Sequence, residues 1–161
     1  MLLPGLTAFH VLLSLVGIVS GIIVVNGLLT NRRLDGWTSI FLVTTVLTNV
    51  TGFLFPVERF MPSHAIAILS LTALTFAILA RHKCDMKGGW ARVYAITAII
   101  SLYFNVFVLV AQLFAKIPAL HALAPTQSSP AFAISQLTVL LVFAALAIRV
   151  SARSRRAVLV S

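Results

Sequence analysis

The chain has 161 residues, of which 60% are hydrophobic and only 9% are charged, and its mean hydropathy is +1.08. Because a soluble domain carries roughly 25% charged residues, this composition excludes a water-soluble globule, and the high apolar content equally excludes a disordered chain. A disulfide-stapled fold is excluded as well, since Cys84 is the one cysteine of the chain.

The apolar residues gather into five runs, each long enough to cross a hydrocarbon core that takes roughly 17–25 residues per helix. In chain order these runs are Gly5–Leu29, Trp37–Phe55, His64–Ala80, Ala91–Ala115 and Phe132–Ile148. They contain no proline and lack the regular alternation of a membrane β-barrel. We therefore predict an all-α integral membrane protein, a single transmembrane domain over 1–161 with five transmembrane helices, the first of them retained rather than cleaved.

The basic residues predict the orientation of these helices. Ten of the twelve Lys and Arg lie in the first and third loops, at the start of the fourth helix and in the C-terminal tail, whereas the second and fourth loops hold Arg59 and Lys116 alone. The positive-inside rule then places the N-terminus outside and the C-terminus inside, and we expect a bacterial inner (plasma) membrane. Since topology accounts for the net charge of +9, we expect no nucleic acid; the expected partners are the lipid bilayer and a membrane protein or a second copy of the chain.

Two helical hairpins resemble each other. His10 precedes Trp37 by 27 residues and His64 precedes Trp90 by 26, and each intervening turn is basic, contains an Asp and ends in Gly-Trp. A duplication of this kind predicts two parallel hairpin repeats that form a four-helix bundle, with a fifth helix packed beside it. The alternative is chance, because short basic turns ending in Gly-Trp arise easily.

Polar side chains within the runs gather toward the outer half of the predicted bundle. Since an unpaired amide or imidazole is costly in hydrocarbon, such groups should face the bundle interior. Besides His10 and His64, the residues predicted to line an outward-facing pocket are Asn49, Thr51, Asn105, Gln112 and Gln136. The alternative is that these groups only form hydrogen bonds between helices. The outer loop 116–130, with three prolines, is either a lid over the pocket or a stiff connector.

His10, His64 and the two Gly-Trp turns resemble the small multi-pass membrane b-type cytochromes and related bacterial membrane proteins, over residues 10–110. The resemblance implies that His10 and His64 are the axial ligands of a single b-type haem that transfers electrons. The chain departs from two-haem members, because His82 is the one histidine at the inner end. A metal ion held by the same two imidazoles is the alternative.

Catalytic motifs are missing, and we predict no catalytic residue. The chain has no Cys-x-x-Cys, G-x-S-x-G or H-E-x-x-H motif, no P-loop and no dinucleotide fingerprint. Three functions stay open: a membrane protein that binds a ligand or cofactor, an accessory or assembly subunit of a membrane complex, and a small transporter. Coupled transport is disfavoured, since the predicted spans contain no carboxylate.

Overall fold

The computed structural model describes residues 2–55 and 62–159, and every regular element within them is an α-helix. In chain order the helices are α1 (Leu2–Leu29), α2 (Asp35–Gly52), α3 (Pro62–His82), α4 (Gly89–Lys116), α5 (Pro118–Leu123) and α6 (Pro130–Leu159). Among these described helices, α1, α3, α4 and α6 are long and apolar enough to cross a membrane. The chain is therefore an all-helical protein of the multi-pass membrane type. The predicted outer loop with Arg59 falls in 56–61, outside the described residues.

Helix α2 differs from the predicted second run at both ends. It begins at Asp35, because a carboxylate in the first turn interacts favourably with the positive end of the helix dipole. It ends at Gly52, and the N–H of Phe53 donates to the carbonyl of Val50 at 3.1 Å, so residues 53–55 form a turn instead of a last helical turn. Helix α2 has 18 residues, but with several threonines it falls short of the hydropathy that the four other long helices reach.

The remaining helix ends also differ in detail from the predicted runs. The loop 116–130 contains the short helix α5, which starts at Pro118, where a missing N–H costs no helical hydrogen bond. Helix α6 begins at Pro130 and continues past the predicted end at Ile148 into the basic tail. The loop is thus partly helical.

The first four long helices form a ring. Helix α1 packs along α2 and α3 packs along α4, while contacts of α2 with α3 and of α4 with α1 close the ring. Helices α1 and α3 consequently lie on one diagonal of the ring. Helix α6 packs outside the ring, mainly on α4 and to a small extent on α1, and α5 rests on α4.

A tight apolar layer crosses the middle of the ring. A Cβ atom placed on Gly21 of α1 would lie 2.7 Å from Leu102 Cδ1 and 2.9 Å from the ring of Phe41. Leu102 of α4 and Phe41 of α2 are each only 1% exposed. A glycine at this position lets three helices approach closely, as small residues do in membrane bundles.

Candidate functional site

His10 lies on α1 near the end of the ring that is predicted to face outward, and it is half-buried. Its Nδ1 is 2.9 Å from Thr51 Oγ1, and its ring meets that of Phe55 edge-on, with centroids 5.3 Å apart. The single hydroxyl hydrogen of Thr51 points to the carbonyl of Leu47 at 2.8 Å. Thr51 therefore accepts a hydrogen bond from Nδ1–H of His10, which leaves the lone pair of the imidazole on Nε2.

His64 lies in the first turn of α3 and is 8% exposed. Its ring packs against Phe53, with centroids 5.4 Å apart and planes tilted by 31°. Phe53 and the Phe55 that contacts His10 both belong to the turn that follows α2. The two imidazoles thus lie at the same end of the ring, on the diagonal helices α1 and α3, and both contact one three-residue turn.

The carboxamides predicted for the pocket lie between different pairs of helices. Asn49 Nδ2 donates to Ser70 Oγ at 3.1 Å and so joins α2 to α3. Gln136 Nε2 donates to the carbonyl of Phe107 at 3.1 Å and so joins α6 to α4. Gln112 is exposed on the surface of α4. Of the predicted residues, Thr51 is the one placed in hydrogen-bonding contact with a histidine.

Asn105 belongs to a polar cluster in the interior of the ring, one helical turn below His10. Its Oδ1 accepts a hydrogen bond from Ser14 Oγ at 3.1 Å, which joins α4 to α1. Its Nδ2 and the Oγ1 of Thr45 each lie 3.1 Å from the position that a Cβ on Gly17 would take. We name Ser14, Gly17, Thr45 and Asn105 the interior polar cluster.

Two atoms of the interior polar cluster have no hydrogen-bond partner among the residues that the structure describes: Thr45 Oγ1 and Asn105 Nδ2. Thr45 is fully buried and Asn105 is 8% exposed. Leaving such a group unpaired costs roughly 1–3 kcal/mol. Two such atoms around one glycine therefore lower the stability of the packed bundle, and their 3.1 Å distances from a Cβ on Gly17 are tighter than an ordinary methyl contact.

Thr45 was missed by the sequence reasoning, although a signal for it exists. The neighbouring Thr44 and Thr48 each donate to the carbonyl four residues earlier, at 2.7 and 2.8 Å, which is the usual bond of a threonine in a helix. Thr45 instead turns its hydroxyl toward Gly17. Gly17 lies on the same face of α1 as His10 and Ser14. This face packs against α2 and α4, so the residues opposite it, Thr45 among them, are candidates for the site.

A cavity of about 50 Å³ lies at the opposite end of the ring from His10. It is partly open and is lined by the end of α1, the turn to α2 and parts of α2, α3 and α4. Its polar lining consists of Arg32, Arg33, Thr38, Arg81 and Tyr94. The sequence reasoning placed no site at this end.

Within the described residues, no group of three or more His, Cys, Asp and Glu side chains is arranged to hold a metal ion. Comparisons with protein-family models, with curated proteins and with solved structures find no match to this chain.

Proposed function

We propose that this chain is a five-span protein of a bacterial inner membrane, with its N-terminus outside and its C-terminus inside. The basic residues support this orientation. Helix α2 serves as the fifth span, because 18 residues rise about 27 Å, close to the thickness of the hydrocarbon core. Its threonines are tolerated there, since most of them satisfy their hydroxyls on their own helix.

We further propose that the outer half of the bundle binds a small polar ligand or a cofactor. The observation that carries this proposal is the pair of unpaired buried atoms, Thr45 Oγ1 and Asn105 Nδ2, around Gly17. The hydroxyl of Thr45 can donate and accept, and the amide nitrogen of Asn105 can donate. A ligand with an acceptor oxygen or nitrogen would satisfy both if the helices separate at Gly17, where a Cβ would already lie 3.1 Å from each atom. His10, two helical turns from Gly17 on the same face of α1, is placed to meet the ligand first.

The specific form of this proposal is a single b-type haem held by His10 and His64. The donor set fits, because the hydrogen bond from Nδ1–H to Thr51 orients His10 and leaves Nε2 as the ligating nitrogen. Helices α1 and α3 lie across the ring from each other, and cofactor sites of helical bundles are built from facing helices. A bound haem would supply one-electron transfer.

A visible absorption spectrum of the purified full chain, expressed with excess haem precursor, tests this form. We expect a Soret band that disappears in His10→Ala and in His64→Ala. The matched control is His121→Ala, because His121 is exposed on α5, and this variant should keep the band. A colourless wild-type protein, or a band that survives both substitutions, contradicts the haem assignment.

An accessory or assembly subunit is the second candidate function, and a specific observation favours it. The interhelical hydrogen bonds of Asn49, Asn105 and Gln136 each join a different pair of helices. Such a distribution is what hydrogen bonding for helix packing alone would produce. Under this candidate the protein is colourless and copurifies with a larger membrane complex through its lipid-facing surfaces.

A further inference from the structure

The cavity at the inner end of the bundle has more positive than negative charge around it. Three guanidinium groups line it, those of Arg32, Arg33 and Arg81. One carboxylate, Asp35, lies 2.5 Å from Arg81 Nη2 and 4.0 Å from Arg33 Nε. The other described carboxylate, Asp85, is 3.4 Å from the ammonium of Lys87. Asp35 therefore leaves most of the guanidinium charge at the cavity uncompensated.

Two buried hydroxyls face the same cavity. Thr38 is 3% exposed and Tyr94 is 2% exposed, and both line the cavity. Their oxygens are 3.5 Å apart, at the long limit of a hydrogen bond. A stronger acceptor in the cavity would therefore receive a shorter hydrogen bond from these hydroxyls than they give each other.

The cavity has a buried side, where Arg81 lies, and an exposed side, where Arg32 and Arg33 lie. Arg81 is held inside, with its side chain only 11% exposed, and its bond to Asp35 fixes the guanidinium. Arg32 and Arg33 are exposed at the turn between α1 and α2, where they can close over a ligand. The cavity of about 50 Å³ is several times larger than the roughly 10–15 Å³ that one water needs.

We infer that this cavity binds a phosphate group. Arginine matches phosphate in charge and in its paired donor geometry, and the two hydroxyls add neutral donors at the buried end. Basic pockets between membrane helices are a known type of binding site for anionic lipid headgroups. The same chemistry would also accept a soluble phosphate, so the experiment must distinguish the two sources.

The test uses the full chain purified in a detergent that contains no phosphate, supplied either with phosphatidylglycerol or with inorganic phosphate. Native mass spectrometry measures bound lipid, and the thermal melting temperature measures the response to phosphate, both at high ionic strength, where exposed charges are largely screened. A saturable response to phosphatidylglycerol alone identifies a lipid headgroup as the source, and a response to inorganic phosphate identifies a soluble one. A response to neither overturns the inference.

Two pairs of matched variants locate the binding. Replacing Arg32 and Arg33 together by Gln should weaken binding about tenfold or more, whereas replacing Arg149 and Arg153 of α6 by Gln removes the same charge outside the cavity and should change binding by no more than about twofold. Equal weakening in both double variants would mean that general surface charge holds the anion, and the inference would be overturned.

The second pair leaves every charge in place. Tyr94→Phe removes one donor from the cavity and should weaken binding severalfold. Tyr103→Phe is the control, because the ring of Tyr103 packs against Phe143 with centroids 5.8 Å apart and does not line the cavity. If Tyr94→Phe binds phosphate as tightly as Tyr103→Phe does, the buried hydroxyls take no part and the inference in this form is wrong.

Discussion

Replacing Thr45 by Val should stabilise the ligand-free protein. Val has nearly the shape of Thr, so the substitution removes a fully buried hydroxyl that has no partner among the described residues and keeps the packing. The unpaired hydroxyl costs roughly 1–3 kcal/mol. We expect a gain of about 1–2 kcal/mol in the free energy of unfolding, which corresponds to about 2–8 °C in the melting temperature of a chain of this size.

Thr48→Val is the matched control on the same helix. Thr48 is also buried, at 7% exposed, but its hydroxyl donates to the carbonyl of Thr44 at 2.8 Å. Its loss should therefore lower the stability by up to about 1 kcal/mol. Both variants are measured by reversible unfolding of the purified chain in detergent. If Thr45→Val destabilises the protein as much as Thr48→Val does, the hydroxyl of Thr45 has a partner, and the argument for a ligand at the interior polar cluster fails.

Three further predictions address the close approach of the helices, the environment of the bundle and its orientation. Gly17→Ala should destabilise the chain by about 1–2 kcal/mol, because its Cβ would lie 3.1 Å from two polar atoms. Gly5→Ala, with nothing within 4 Å, should keep or raise the melting temperature, since alanine favours a helix more than glycine does. Leu74→Ala should lower the free energy of unfolding in detergent by about 1–3 kcal/mol, since Leu74 is only 1% exposed. The control Leu69→Ala should lower it by less than about 0.5 kcal/mol, because Leu69 is 55% exposed. Equal losses of stability in the two variants would contradict the helix packing. In spheroplasts, a membrane-impermeant maleimide should label Ser128→Cys and leave the native cysteine unlabelled; the reverse pattern would refute the orientation.

The helical nature of the chain could be predicted from its apolar runs, because their length admits few other structures in lipid. The ends of the helices were predicted less accurately, because they depend on local hydrogen bonds and charges. The carboxylate of Asp35 extends α2 by two residues at its N-terminal end, and the turn at 53–55 shortens the helix at its C-terminal end. The helix Pro118–Leu123 was not predicted, because six residues are too few to show a helical period.

The candidate site was predictable only in part. Residue types and depth placed His10, Thr51 and Asn105 in the outer half, and the structure places all three at the contacts of α1 with α2 and α4. The direction of the Thr45 hydroxyl depends on a side-chain rotamer that no sequence pattern specifies. The cavity lined by Arg32, Arg33 and Arg81 is formed by α1, α2, α3 and α4 together with the turn between α1 and α2. It therefore arises from long-range packing, which no local sequence pattern specifies.

The apolar layer of Gly21, Phe41 and Leu102 limits how far water can enter the bundle from either end. It lies one turn below the interior polar cluster on α1 and above the cavity, whose lining on α1 begins at Val24. A constriction of this kind expels water, so a file of waters would not connect the polar groups at the two ends of the described bundle. Each end can then be hydrated separately, and a proton would find no path through water from one end to the other.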